Sequence, residues 1–273
     1  MPNKKIEFVP VPDAQLPLQQ EIRFSILIPT WNNLDHLKLC LSSIDKNSRY
    51  KHQVVLHVND GSDGTLEWAR ANNLAHSHSE FNSGVCFAFN AAAALATSDK
   101  LLLLDDDNYL LPDWDYWIIE DIKKLGHPYF AISATKIERV KTFNACAISP
   151  YNFGTNPDDF NESALLEGFN KLEMEDWSGS SWYPMAIHRS VWNMVGGMSI
   201  EFSPGMYSDP DFMMKLWKAG VRYFKGVAKS RSYHFMSKSV KRIKKNNGRK
   251  QFLLKWRMSN STFRIHYLRM GEK

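Results

Sequence analysis

The sequence predicts an α/β protein built on a doubly wound, mostly parallel sheet flanked by helices. Three observations carry that expectation. Short apolar runs alternate with helical patterns through the first 105 residues, and each run stops at a cluster of polar or turn-forming residues. The run Leu101-Leu102-Leu103-Leu104 reads as a strand buried on both faces, and it ends in Asp105-Asp106-Asp107, which cannot share that burial. Strand–helix–strand order implies right-handed crossovers, so the strands lie parallel and their carboxyl ends share the edge where open α/β sheets bind ligands.

Residues 1–22, punctuated by Pro10, Pro12 and Pro17, read as an irregular lead. A strand over 24–28 stops at Pro29, and Leu34, Leu37, Leu41 and Ile44 then mark one face of a helix. A second strand over 54–58 ends in Asn59-Asp60-Gly61-Ser62, followed by a short helix over 65–73. The alanine-rich stretch 84–97 is expected to be a helix packed closely on the sheet, delivering the chain to the leucine strand. After the acids Asn108 turns the chain, Pro112-Asp113 opens a helix over 114–125, and a strand runs over 129–137. From 141 to about 176 the periodicity lapses, as it does in long functional loops. Order returns with a strand over 182–188, a helix over 191–195 broken by Gly196-Gly197, a helix over 210–219 ended by Gly220, and a strand-like run over 221–235. The expected organisation is a lead (1–22), two halves of one domain (23–140 and 141–236) and a basic tail (237–273).

The chain has 273 residues, 44% hydrophobic and 23% charged, ordinary values for a globular protein. No apolar run approaches the ~18 residues of a membrane span. Cys40, Cys86 and Cys146 are odd in number, far apart and set among apolar residues, which excludes a disulfide framework or zinc spacing and points to buried thiols. A cytoplasmic protein is expected. Charge is unevenly divided. Residues 238–273 hold 12 of the 34 Lys+Arg but only one of the 29 acids, Glu272, so an acidic body carries a tail of net charge +11. Such a tail suits a polyanionic partner or the inner face of an anionic membrane, where contact would be peripheral. Nucleic acid is not expected, since neither aromatic interleaving nor a helix-turn-helix pattern accompanies the charge.

Alternation along an extended chain turns Asp105 and Asp107 to one side and Asp106 to the other. Crowded carboxylates need a cation or ligand donors to offset their repulsion. Two oxygens on one side suit a hard divalent ion that keeps positions open for phosphate oxygens. Two further strand ends, Pro29-Thr30-Trp31-Asn32 and Asn59-Asp60-Gly61-Ser62, converge on the same edge. There Asp60 has the acceptors for a base edge or ribose, with Thr30 and Asn32 beside it. The same Asp-Gly-Ser-Asp-Gly-Thr stretch also reads as a turn followed by a helix cap.

Four blocks resemble, in order and spacing, the family 2 glycosyltransferases of GT-A fold. They are Ser25-Ile26-Leu27-Ile28-Pro29-Thr30-Trp31-Asn32, Val58-Asn59-Asp60-Gly61-Ser62-Asp63-Gly64-Thr65, Asn82-Ser83-Gly84 with Asn90, and Leu104-Asp105-Asp106-Asp107. Val195-Gly196-Gly197-Met198 and Ser208-Asp209-Pro210-Asp211, with Leu216 and Gly220, resemble that family's acceptor-side block. The resemblance implies transfer of a sugar, with inversion and with Mn²⁺ or Mg²⁺, from a nucleoside-diphosphate sugar to a hydroxyl of a glycan or lipid-linked acceptor. A UDP-sugar is the favoured donor. The half 23–140 would bind the nucleotide sugar and 141–236 the acceptor.

By the same resemblance Pro29, Thr30, Asn32, Asp60, Asn82, Gly84, Asp105 and Asp106 would hold the donor, and Asp107 with His234 the metal. Asp209 would be the general base, with Ser208 standing where the family usually has Glu. Asp209-Pro210 is also a good cap and first-turn pair for a helix, an arrangement that would lower the carboxyl's pKa. Asp211 is the alternative base or an acceptor contact, and Trp177 and Trp182 are candidate stacking surfaces for the acceptor. Lys238, Lys241, Arg242, Lys244 and Lys245 read as a lid over the diphosphate or a contact with anionic lipid. Two rival readings remain: a nucleotidyltransferase, which would need a glycine-rich basic loop after the first strand, and a catalytically silent nucleotide-sugar or glycan-binding module.

Overall fold

Leu101 and Leu103 pack into one apolar layer and Leu102 and Leu104 into another, so the leucine run is covered on both faces as its composition requires. The computed structural model describes residues 5–10, 23–237 and 244–273. In chain order the strands begin with β1 (Ile6–Val9), β2 (Ser25–Trp31), β3 (Gln53–Asn59), β4 (Ala75–Ser79), β5 (Lys100–Leu103) and β6 (Asn108–Leu110). They continue with β7 (Phe130–Glu138), β8 (Ala147–Ile148), β9 (Trp177–Ser178), β10 (Met185–His188) and β11 (Tyr223–His234). Between them run α1 (Leu34–Asn47), α2 (Thr65–Ala71), α3 (Val85–Ala93), α4 (Trp114–Leu125), α5 (Glu162–Gly168), α6 (Arg189–Val195) and α7 (Ser208–Lys218), with α8 (Gly248–Trp256) following β11.

The sheet order is β1-β4-β3-β2-β5-β10-β7-β11-β6, with β8 beside β7 and β9 beside β11. From β4 through β5 every pairing is parallel, as right-handed crossovers demand. β10 enters antiparallel between β5 and β7, and β7 then pairs parallel with the long β11. The sheet is therefore mixed but mostly parallel. On one face α1, α2 and α4 supply Leu37, Cys40, Ile44, Leu66, Trp114 and Ile118. On the other, α3, α6 and α7 supply Phe89, Trp192, Phe212 and Leu216. Ala88, Ala91 and Ala92 of α3 are buried, the close helix–sheet approach expected of its composition.

Several elements differ from the sequence reading. The lead contains β1, an edge strand antiparallel to β4, while residues 1–4 and 11–22 lie outside the described part. Asn108 opens the short strand β6 rather than a turn, because the chain after the acids folds back beside β11. The stretch 141–176 is not structureless: it holds β8 and α5, whose start is capped by the Asn161 side chain accepting from Ala164 N–H. The basic tail packs on the body. Phe252 of α8 and Phe263 are fully buried against α7, so the last thirty residues complete the core. Of the proposed lid lysines and arginine, Lys238, Lys241 and Arg242 lie outside the described residues. No described helix is long and apolar enough to cross a membrane.

Candidate active site

Strand register brings the charged groups together. β6 pairs antiparallel with the end of β11, setting His234 opposite Asn108 and next to the acids. β7 pairs parallel with the same stretch, setting Glu138 beside His234. A three-residue irregularity in β11 between Val227 and Arg231 makes that register possible. The result is a cavity of about 830 Å³ at the carboxyl edge of the sheet. Pro29, Thr30, Asn82, the three acids, Lys136, Glu138, Trp182, Tyr183, Asp209 and His234 all line it.

Asp105 and Asp107 do share a side, and with His234 they offer one ligand atom each within 4.8 Å of one another. Asp105, expected at the donor, thus joins the pair expected at a metal. Two carboxylate oxygens and an imidazole nitrogen are a donor set that fits Mn²⁺ or Mg²⁺. His234 Nε2 lies 3.5 Å from Asp107 Oδ2 and its Nδ1 3.6 Å from Glu138 Oε1. Burial and Lys136 oppose charge on that ring, but Asp107 and Glu138 outweigh them and raise its pKa. Asp107 is held low: burial works against its charge, yet His234, Lys136 and the Ser237 N–H (2.7 Å) favour it more. Burial, with Asp107 nearby, raises Asp105 even though Lys136 Nζ stands 3.4 Å from its Oδ2.

Asp106 points the other way, accepting from Asn33 Nδ2 at 3.0 Å, and burial beside Asp107 pushes its pKa up to about 8. Asn32 donates to Asp60 Oδ2 (3.0 Å) and accepts from Gly61 N–H, tying the ends of β2 and β3. Both residues adopt positive φ. Hydrogen bonds from Ser62 and Asn32 overcome partial burial and lower the Asp60 pKa. Asn32, Asp60 and Gly84 do not line the cavity, whereas Pro29, Thr30 and Asn82 do. Gly84 is needed where it stands: its φ is +82° and a Cβ would come within 2.9 Å of Ser203 Oγ. Its N–H donates to Asn82 Oδ1, fixing the loop that presents Asn82.

Asp209 faces the acids from α7. The helix begins one residue before it, with Tyr207 at the cap, so Asp209 is not the capping residue and the expected lowering of its pKa does not occur. Its Oδ1 instead accepts from Tyr183 Oη (2.8 Å) and Ser208 Oγ (3.3 Å), and burial raises its pKa to about 6 against those bonds. Asp211 is turned into the core, where Oδ1 accepts from Trp256 Nε1 (2.7 Å) and meets Lys255 Nζ (2.9 Å). Trp177 is also structural: it is 2% exposed, and its indole N–H donates to Thr135 Oγ1. Trp182, five residues on, does line the cavity.

Lys136, Glu138 and Tyr183 escaped the sequence reading as site residues. A signal was present for the first two: ionisable residues two apart at the end of an apolar strand, the pattern used for Asp105 and Asp107. Tyr183 meets Asp209 only through tertiary packing, 26 residues apart.

Comparison with known proteins gives the family and the fold. The family model described as Glycosyl transferase family 2 matches residues 25–177. The chain is 25% identical over 238 residues to the hyaluronan synthase of Pasteurella multocida, a match that covers 82% of this chain but only 22% of that protein. It is likewise 25% identical over 198 residues to an uncharacterized glycosyltransferase of Haemophilus influenzae, covering 70% of this chain and 61% of the relative. Among solved structures, S. aureus TarS 1-349 in complex with UDP superposes with a TM-score of 0.55 at 14% identity, covering 78% of this chain and 60% of that one. That last likeness is one of fold.

Proposed function

Starting from the chain's membership of glycosyl transferase family 2, we propose that this glycosyltransferase moves a sugar, with inversion, from a nucleoside-diphosphate sugar to a glycan or lipid-linked hydroxyl. One observation carries the reading. A single cavity holds a carboxylate–carboxylate–imidazole cluster on one wall and, on another, a carboxyl whose pKa burial lifts to about 6. A carboxyl near pH 6 is ionised at neutral pH yet basic enough to accept a proton in the transition state.

In this reading Asp209 takes the proton of the acceptor hydroxyl as its oxygen bonds to the anomeric carbon, and the bond from that carbon to the diphosphate oxygen breaks. Tyr183 and Ser208 hold the base oxygen in place. Asp105, Asp107 and His234 would hold a divalent cation, which when bound neutralises charge on the departing diphosphate. Asp106, which turns away from that cluster toward Asn33, faces the ribose, and Asp60, steadied by Asn32, the base. UDP in the TarS complex supports uracil as that base. Free buried thiols at Cys40, Cys86 and Cys146 support a reducing, cytoplasmic setting. Exposed Leu253 and Leu254 beside Arg249 and Lys250 support peripheral contact with anionic lipid.

The test is release of nucleoside diphosphate from a panel of nucleotide sugars with Mn²⁺, Mg²⁺ or EDTA. Slow hydrolysis of one donor, abolished both by EDTA and by Asp107→Ala, is the expected result. Turnover indifferent to EDTA would remove the metal from the reading. Donor binding without turnover, with and without sugar acceptors and unaffected by Asp209→Asn, would make the protein a binding module.

A further inference from the structure

The cavity is also lined by parts of the chain that the reaction above does not use. Thr142, Phe143, Asn144 and Cys146 line it from the segment after β7, Trp182 from the segment before β10, and Arg264 from the C-terminal segment. All six follow residue 140: five lie in the half expected to bind the acceptor and Arg264 in the C-terminal segment packed on it. Arg264 is the cation there. Its Nε lies 3.0 Å from Met270 Sδ, and its guanidinium carbon sits 5.8 Å from the centre of the Trp182 ring. Among the described residues it has no carboxylate partner, unlike Lys136, which faces Asp105.

Arg264 is also held in place from outside the cavity. Phe263, its neighbour, is fully buried, and Met270 N–H donates back to the Arg264 carbonyl at 3.0 Å. The strap that follows is bonded to β9 through Ser178 N–H to Glu272 O (2.7 Å) and Gly271 N–H to Ser178 O (3.0 Å). Gly179, at φ +90°, lets that strap close: a Cβ there would lie 2.8 Å from Met270 Cα. A fixed guanidinium loses less entropy on binding than a free one, and its fork of donors matches carboxylate and phosphate oxygens.

Two neighbours fit the same ligand. The Trp182 indole N–H is buried without a partner among the described residues, a donor open to a ligand acceptor. Phe143 lines the cavity while 99% exposed, leaving a bare aromatic ring for the C–H face of a sugar. A neutral acceptor would leave a cationic donor unmatched in a partly enclosed site; an anionic one satisfies it.

We propose that the acceptor carries a negative charge, a sugar carboxylate or a phosphate, which Arg264 binds while Phe143 and Trp182 receive the ring beside it. This rests on the transferase reading, since it is that reading which makes this half the acceptor side. It also gives the basic tail a use inside the cavity, through one arginine rather than through net charge.

The experiment is calorimetry on the full chain, with UDP and Mn²⁺ present, using methyl glucoside, methyl glucuronide and glucose 6-phosphate as probes. Wild type is expected to bind at least one anionic probe about tenfold or more tightly than the neutral glucoside, the value of one charge-assisted contact. Preference for the glucuronide assigns a uronic-acid acceptor; preference for the phosphate assigns a phosphorylated or phosphate-linked one. Arg264→Gln is expected to erase the preference and Arg264→Lys to restore part of it, with melting temperatures confirming that both variants fold. Equal binding of neutral and anionic probes, no binding of either anion at millimolar concentration, or a preference that survives Arg264→Gln overturns the proposal. So does a loss confined to UDP affinity, which would move Arg264 to the donor. Binding of UDP by wild type, recorded separately, tests the donor site itself, so failure there is distinct from failure of the acceptor charge.

Discussion

On one wall of the cavity every chemical group sits at the end of a strand, and its neighbours are set by parallel register: Pro29 and Thr30 on β2, Asn59 on β3, and the acids just after β5. On the other wall Tyr183 meets Asp209 across 26 residues, and behind it, outside the cavity lining, closures between distant segments hold that wall in place: Asp211 with Trp256 and Ser178 with Glu272. The first wall is fixed by local pattern plus one sheet rule. The second exists only once the mixed sheet, α7 and the C-terminal segment have packed. Substitutions should therefore separate cleanly into those that remove chemistry and those that loosen the second wall.

The largest effect is expected at Asp209, the one group of the second wall that does chemistry. Asp209→Asn should lower the transfer rate by on the order of a thousandfold while leaving donor binding in place, because a positioned general base is worth roughly 10²–10⁴. Its raised pKa sets a pH signature. Ionised Asp209 is the working form, so below pH about 6 the wild-type rate should fall about tenfold per pH unit, and the Asn variant should lack that limb. The stability sign is opposite. Burial lifts the folded carboxyl above its ordinary 3.8, so its contribution to stability is present at low pH and is lost as pH rises through about 6. At neutral pH Asp209→Asn should therefore not lower the melting temperature. A drop of several degrees would mean that the carboxylate holds the fold rather than the proton.

Two tryptophans divide the walls next. Trp177→Ala removes a buried ring bonded to Thr135 and should cost about 3–5 kcal/mol, seen as a large fall in the denaturant midpoint. Trp182→Ala, in the cavity lining, should cost less stability and raise the acceptor KM instead. If the two variants behave alike, the separation of core from cavity in this segment is wrong.

The same contrast explains what could be read from the chain. The leucine strand, the alternation that splits Asp105 and Asp107 from Asp106, and the alanine-rich helix all follow from periodicities of 2 and 3.6, which are local. His234 was a candidate through the family resemblance, at the end of a strand-like run. Its contact with Asp107 was not legible, since that depends on the three-residue irregularity in β11 and on β6 folding back. Trp177 and Trp182 look alike in sequence, and only the pairing of β9 with β11 sends one into the core. Arg264 lay hidden in a tail whose net charge drew attention away from single side chains. Asp211 stands in the sequence as the alternative to Asp209 because spacing of two in a first helical turn does not say which carboxyl faces the cavity.

That pair supplies the smallest effect and the finest test. Asp211 accepts from Trp256 Nε1 and meets Lys255, so its carboxylate fastens α8 to α7. Trp256→Phe keeps an aromatic side chain, though a smaller one, and removes the donor, leaving a buried carboxylate oxygen short of one bond at a cost of about 1–3 kcal/mol. For a chain of this length that amounts to a few degrees in melting temperature, at about 2–4 °C per kcal/mol. Asp211→Asn should likewise destabilise, since the amide cannot keep the ion pair with Lys255, yet it should retain the acid limb near pH 6 that Asp209→Asn erases. If instead the limb vanished with Asp211→Asn and survived Asp209→Asn, the two carboxyls would have to exchange roles. The base would then be the residue that the structure buries against Trp256, and α8 would have to release from α7 before an acceptor hydroxyl reached it.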